Sequence, residues 1–206
     1  MASEDRWTRL WKLAAVPKAP PGWYDRLDTL YTEPHRHYHT WFHIAECLRE
    51  FDAASNLAVR PVAVELAIWF HDAIYEPRAP DNEERSAELA TKCMSETALA
   101  HDLANPVAQL ILATKHHVPS PDPDAAFLLD VDLSILGQPE NRFLEYEQQI
   151  REEYAWVTEP TFKSKRAEIL ERFLARERIY LKEWFFERYE SSARANLQRS
   201  LHHLRC

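Results

Sequence analysis

Glycine is nearly absent: Gly22 and Gly137 are the only two in 206 residues. Sheets joined by tight hairpins spend many more on left-handed turn positions, so a hairpin-rich β fold is excluded and helices are expected. Cysteine is scarce too. Cys47, Cys93 and Cys206 form neither a paired framework nor a CxxC spacing, which excludes a disulfide scaffold or zinc ribbon and fits a reducing, cytoplasmic setting. No apolar run approaches the ~20 residues that a membrane span needs, and Met1 to Trp7 is polar and acidic, so neither membrane insertion nor secretion is expected. Positive charge is also short. The 25 Lys and Arg against 33 Asp and Glu leave a formal charge of -8, which opposes nucleic acid as a partner but leaves room for a local pocket that takes a small phosphorylated ligand.

Apolar and aromatic residues, by contrast, are plentiful. With 46% hydrophobic residues and seven Trp the chain can fill one large core, so a single all-α domain spanning residues 1–206 is expected. The 13 prolines punctuate helices rather than interrupt them. Ser3 caps a first helix through Trp7, Leu10, Trp11 and Leu13, and a second runs near Trp23 to Tyr31. A third begins at about Tyr38, with Phe42, Ile44, Cys47, Leu48 and Phe51 on one side and histidines on another. Pro61 opens a buried helix whose apolar run, broken by Glu65, continues past His71 and Asp72 to Tyr75. Asp81 or Asn82 caps the next, and Asn105-Pro106 opens another that reaches His116 and His117. Ala125 to Leu136 ends at Gly137, read as a left-handed cap. Helices over Pro139 to Val157 and Thr161 to Leu174 follow, and a last helical stretch from Glu177 reaches Leu204 with no Gly or Pro to mark its break. No internal repeat is apparent.

Chemistry enters where ionisable residues interrupt apolar helices. His71-Asp72 follows Ile68-Trp69-Phe70, and such residues are seldom buried there unless paired or bound to metal. Neutral imidazole and carboxylate are both competent ligands, and neighbours about 100° apart on a helix can straddle one ion. On its own the pair is more often a helix-end feature. Arg36, His39 and His43, spaced by three and four, would share one helix face, with His39 as a metal nitrogen, Arg36 as a fork for phosphate oxygens and His43 as second ligand or proton donor. The choice between His39 and His43 rests on register. Asp130 and Asp132 point about 200° apart on their helix, and the more apolar surround of Asp132 selects it as the ligand. Lys115, His116 and His117 complement a helix C-terminus, and also offer a phosphate contact, outer ligand or general acid. Glu83 belongs first to a capping signal, Asp81-Asn82-Glu83-Glu84-Arg85-Ser86, and secondarily could orient His71.

In order and type these residues resemble the HD superfamily of metal-dependent phosphohydrolases, whose motif is a His on one helix, His-Asp on the next main helix and a distant Asp. The motif maps onto His39, His71-Asp72 and Asp132. The strings Glu33-Pro34-His35-Arg36-His37-Tyr38-His39, Trp69-Phe70-His71-Asp72-Ala73-Ile74-Tyr75, Asp81 to Ala87, Asp130 to Gly137 and Ala193-Arg194-Ala195-Asn196-Leu197 are similar to a bacterial subgroup of unassigned substrate. The resemblance runs from about residue 5 to residue 200. It implies an HD-type helical bundle, with metal-site helices at about 35–136 and C-terminal packing helices at about 138–204. It further implies one Mn, Fe, Co, Ni or Zn ion, with a second compatible through Asp72, His116 and His117. The implied reaction is hydrolysis of a phosphate mono- or diester, a nucleotide monophosphate by family analogy, through attack of metal-bound hydroxide on phosphorus. Arg36 and Lys115 would neutralise the phosphoryl charge, and His43, His116 or His117 would protonate the leaving oxygen. Trp41 or Tyr75 would flank a base. The rival readings are a di-iron oxygenase on the same scaffold and a non-catalytic nucleotide-sensing module; a homo-oligomer is compatible with each.

Overall fold

A computed structural model describes residues 2–97 and 100–205 of the chain, so Cys206 lies outside the described residues. It is all-helical. Ten α-helices and no strand occur among the described residues, and no helix among them is long and apolar enough to cross a membrane. The helices are α1 (Glu4–Leu13), α2 (Trp23–Tyr31), α3 (Trp41–Ala53), α4 (Pro61–Phe70), α5 (Asn82–Ser95), α6 (Ala100–Ala113), α7 (Pro123–Asp132), α8 (Glu140–Glu153), α9 (Glu159–Leu174) and α10 (Glu183–Arg205). Two compact units meet in sequence between Val131 and Asp132.

The first unit is organised around α4, which touches α1, α3, α5 and α6. Pro61 at the first turn supplies a preset φ where no hydrogen bond is lost. Every residue from Ala63 to Phe70 is buried, and the small Ala63 and Ala67 allow close approach of neighbouring helices. Against it packs Trp7 of α1, which meets Trp69 edge-on at 5.3 Å and Phe70 at 5.9 Å and is itself met edge-on by Trp11 at 5.3 Å. Burial of ~150–250 Å² per Trp contributes roughly 4–6 kcal/mol each before entropy is counted. Tyr31 of α2 donates to the Trp69 carbonyl at 3.0 Å. The one charged residue in this stretch, Glu65, accepts from Arg6 Nε at 2.7 Å, while Arg6 makes a two-pronged pair with Asp52 at 2.7 and 2.8 Å. Fully buried Asp124 fixes the entry of α4 by accepting from the Val59 and Arg60 amides at 2.7 and 3.1 Å and from Arg60 Nε at 2.7 Å.

Several helix ends differ from the sequence expectation. The third helix starts at Trp41, not Tyr38, because the Thr40 side chain caps it by accepting from the Phe42 amide at 3.3 Å. The buried helix stops at Phe70, so His71 and Asp72 stand at its end instead of inside it. Pro106 lies within α6 rather than opening it, and α6 ends at Ala113, short of His116 and His117.

The second unit, from Asp132 onward, holds α8, α9 and α10 around a 3-10 turn, Leu133–Gly137. That turn is gripped by two side chains within the unit. Tyr180 donates to the Leu133 carbonyl at 2.9 Å, and Asn196 Nδ2 donates to the Leu136 and Gln138 carbonyls at 2.9 Å each. Gly137 is not in the left-handed region, which among the glycines only Gly22 enters. The reason for glycine is contact instead: a Cβ there would sit 2.5 Å from Tyr189 Cβ and 2.9 Å from the Tyr189 carbonyl oxygen. Gly137→Ala is therefore expected to cost about 1–3 kcal/mol through overpacking, read as a lowered urea midpoint at unchanged slope. Wild-type stability in that variant would mean that α10 yields freely at this point.

Candidate metal centre

His71 is the C-cap of α4, its amide bonded to the Ala67 carbonyl at 2.9 Å. Its Nδ1 lies 3.0 Å from the Ile68 carbonyl, which can only accept, so Nδ1 carries the proton and Nε2 presents a lone pair. Around that lone pair, three atoms form a near-equilateral triangle. Nε2 of His71 is 3.1 Å from Asp72 Oδ2 and 3.1 Å from His43 Nε2, and the third edge, His43 Nε2 to Asp72 Oδ2, is 3.3 Å. His43 reaches the triangle from the first turns of α3 and, like His71, is only 2% exposed. Burial pushes the Asp72 carboxyl up, but His71 and His39 in their protonated forms, together with the hydrogen bonds that protonated His43 and His71 give it, outweigh burial and hold the group well below the usual carboxylate range.

Asp132, the half-buried last residue of α7, brings a second carboxylate. One donor atom each from His43, Cys47, His71 and Asp132 lie within 4.8 Å of one another. Buried imidazoles and a carboxylate at such range are costly unless protons, hydrogen bonds or a cation lie between them. The edges fit a cation: ligands at ~2.1 Å from an ion are about 3.0 Å apart in an octahedral arrangement and about 3.4 Å apart in a tetrahedral one. The negative C-terminal ends of α4 and α7 reinforce that field.

The expected residues fall into three groups. His71 and Asp132 fall with His43 in the four-residue donor group, and Asp72, outside that group, meets His43 and His71. His39, expected as the first ligand, is not in the four-residue donor group; it lies in the turn before α3, where its ring stacks on Tyr75 at 4.0 Å and 25° and stands 6.0 Å from His43. The shared helical face of Arg36, His39 and His43 does not form, since residues 34–40 are turns and bends. Asp132 joins the group, but not for the burial reasoned from its neighbours: Asp130 is the fully buried one of the two.

Arg36 is almost fully buried and turned to backbone. It donates to Glu33 from Nε at 3.0 Å, to the His39 and Asp72 carbonyls from Nη1 at 2.9 and 2.7 Å, and to the Ala73 carbonyl from Nη2 at 2.8 Å. It thus clamps the loop that carries Asp72, a different task from gripping phosphate. That loop is braced again where His35 meets the Tyr75 carbonyl at 2.8 Å and where Ser86 and Asn82 of α5 bond both the amide and the carbonyl of Ile74 and Glu76. Asn82 and Ser86 of the string at 81–87 are explained by this bracing. Asp81 makes no side-chain cap, and the role of orienting His71 expected of Glu83 is filled by the Ile68 carbonyl.

Lys115 is committed elsewhere, to Glu84 at 2.5 Å and to the Pro80 carbonyl at 2.7 Å. That hydrogen bond raises the lysine and lowers the glutamate from their ordinary values. His116 is exposed, and His117 adopts a left-handed φ of 48° in the turn beyond α6. Neither belongs to the four-residue donor group. The residue that sequence reasoning missed is Cys47; the signal was its i+4 spacing from His43, which puts both on one face of α3.

No family model, curated protein or solved structure matches the chain.

Proposed function

We propose that the chain is a metal-dependent phosphohydrolase of the HD type acting on a small phosphate ester. The observation that carries this reading is the triangle of His43, His71 and Asp72 donor atoms, with Asp132 close by. His43 and His71 offer lone pairs, and Asp72 and Asp132 offer two negative charges that balance a divalent ion. Mixed imidazole and carboxylate donors suit Mn, Fe, Co, Ni or Zn. A bound ion of this kind supplies Lewis acidity, drawing the pKa of water down towards ~7.

The remaining tasks fall to the chain's own groups. Ile68 holds the His71 tautomer through its carbonyl, and Arg36 holds the Asp72 loop. His39, half-buried beside Asp72 and supported by the Tyr75 ring, is placed to give a proton to a leaving oxygen. Phe42, 55% exposed on the turn next to His43, offers an apolar face to a base or other organic leaving group. Since Arg36 and Lys115 are engaged, phosphoryl charge would be met by the ion and by His39.

The test is a turnover screen. Metal-stripped protein reloaded with each of the five ions and offered nucleoside monophosphates, sugar phosphates and phosphodiesters is expected to release phosphate or alcohol with one ion per chain. Two irons per chain with oxygen consumption would replace this reading by an oxygenase. Stoichiometric ion binding with an intact bound nucleotide and no turnover would replace it by a sensing module.

A further inference from the structure

We infer that a groove between α2 and α5 is a second binding site, apart from the metal centre, for a small phosphoryl anion. The groove, of about 250 Å³, is lined by Arg26 of α2, Ile74 of the loop after Asp72, and Arg85, Glu88, Leu89 and Lys92 of α5. None of these six belongs to the metal donor group. Arg85, Leu89 and Lys92 recur at spacings of four and three, which brings them onto one face of α5, and Arg26 meets them from α2. The Arg26 guanidinium lies over the Trp23 ring at 4.9 Å, and that indole donates to Glu96, just past the end of α5, at 2.8 Å. The two helices therefore present their cations from one frame.

These three cations differ from their neighbours in having no carboxylate. In the same unit Arg6, Arg36 and Arg60 each meet one at 3.0 Å or less. Arg26, Arg85 and Lys92 form no ion pair with a described residue, although Glu88 lies one turn from both Arg85 and Lys92, where helical pairs commonly form. Like charges around one concavity repel, and an anion seated among them removes that repulsion. Three cations and one carboxylate leave two net positive charges, which match a phosphate dianion, while half-buried Ile74 and buried Leu89 give a carbon skeleton an apolar floor. The formal charge of -8 on the chain repels long polyanions, so the ligand is inorganic phosphate or a small phosphate monoester.

Occupancy of the groove reaches the metal centre through Ile74. Ser86 of α5 bonds the Ile74 amide at 3.0 Å and its carbonyl at 3.4 Å, two residues beyond Asp72. An anion that draws α2 and α5 together steadies this brace and raises ion affinity; this coupling, unlike the site itself, rests on the metal reading above.

Metal-free protein titrated calorimetrically at low salt with inorganic phosphate, and separately with glycerol phosphate, should bind one equivalent. Stripping the ion removes the metal centre's own pull on phosphate. Arg85→Glu and Lys92→Glu should each weaken binding ~10-fold or more. Glu88→Gln should tighten it about threefold, a gain that misfolding does not imitate. Stronger binding of glycerol phosphate assigns the site to an ester, and equal binding assigns it to phosphate itself. No binding by the wild type, or binding that none of the three variants moves, overturns the site. Saturating phosphate should raise Mn²⁺ affinity about fivefold more in the wild type than in Arg85→Glu. Equal gains overturn the coupling and leave the site, and a wild-type chain that takes phosphate but no Mn²⁺ overturns the metal reading and the coupling together.

Discussion

His43→Ala is expected to strip the chain of its ion, whereas His39→Ala should keep the ion and lose turnover. His43 Nε2 is one corner of the triangle, 3.1 Å from His71 and 3.3 Å from Asp72, so its removal takes away an inner donor and leaves the Asp72 carboxylate with one imidazole fewer. Loss of an outer partner costs ~10–100-fold in metal affinity, and loss of an inner donor should exceed that, about 3 kcal/mol or more at ~1.4 kcal/mol per decade. His39 stands 6.0 Å from the His43 ring and stacks on Tyr75, so its alanine variant removes a proton donor and a charge near Asp72 without opening the triangle. A general acid contributes typically 10²- to 10⁴-fold, and a loss of about that size in kcat is expected for His39→Ala. Metal content after dialysis, measured beside circular dichroism, separates the two variants. An ion retained by His43→Ala and lost by His39→Ala would reverse the assignment and restore the other register.

That register shows how far sequence alone reached. The residue types of the candidate centre stood out in the sequence, because His71, Asp72 and Asp132 interrupt apolar stretches. The first histidine did not, since two lie one helical turn apart and the choice depends on where α3 begins. Thr40 caps the helix at Trp41, which puts His43 on α3 and leaves His39 in the preceding turn. Likewise α2 ran over Trp23–Tyr31 as its periodicity indicated, but the break between α9 and α10 had no glycine or proline to announce it. It is made by distant groups: Glu190 accepts from the Ile179 amide at 3.0 Å and the Tyr180 amide at 3.2 Å, and Arg194 takes the Leu174, Arg176 and Glu177 carbonyls. A carboxylate and a guanidinium ten to twenty residues away thus replace the local stop signal. Gly137 was legible as special and misread in kind, because close approach to Tyr189 and left-handed backbone leave the same mark in a sequence.

The same ambiguity attaches to Arg36, where an arginine beside histidines reads equally as a phosphate fork or a backbone clamp. As a clamp it holds the carbonyls of Asp72 and Ala73 at 2.7 and 2.8 Å, so the position of the Asp72 carboxylate depends on it. Arg36→Lys keeps the charge but cannot span those carbonyls, Glu33 and His39 together, because an ammonium lacks the planar fork. Hydrogen bonds from a charged group contribute about 1.5–3 kcal/mol each, so losing two of the four contacts is expected to cost roughly 3–6 kcal/mol of stability and to loosen the loop that carries Asp72. Ion affinity should then fall by ~10–100-fold, as it does when a group that orients a ligand is removed. With the ion saturating, kcat should drop while KM stays close to wild type, since Arg36 does not meet the substrate. A phosphate fork makes the opposite demand: KM would rise while ion affinity and melting temperature held, and that pattern would remove Arg36 from the scaffold and return it to the substrate.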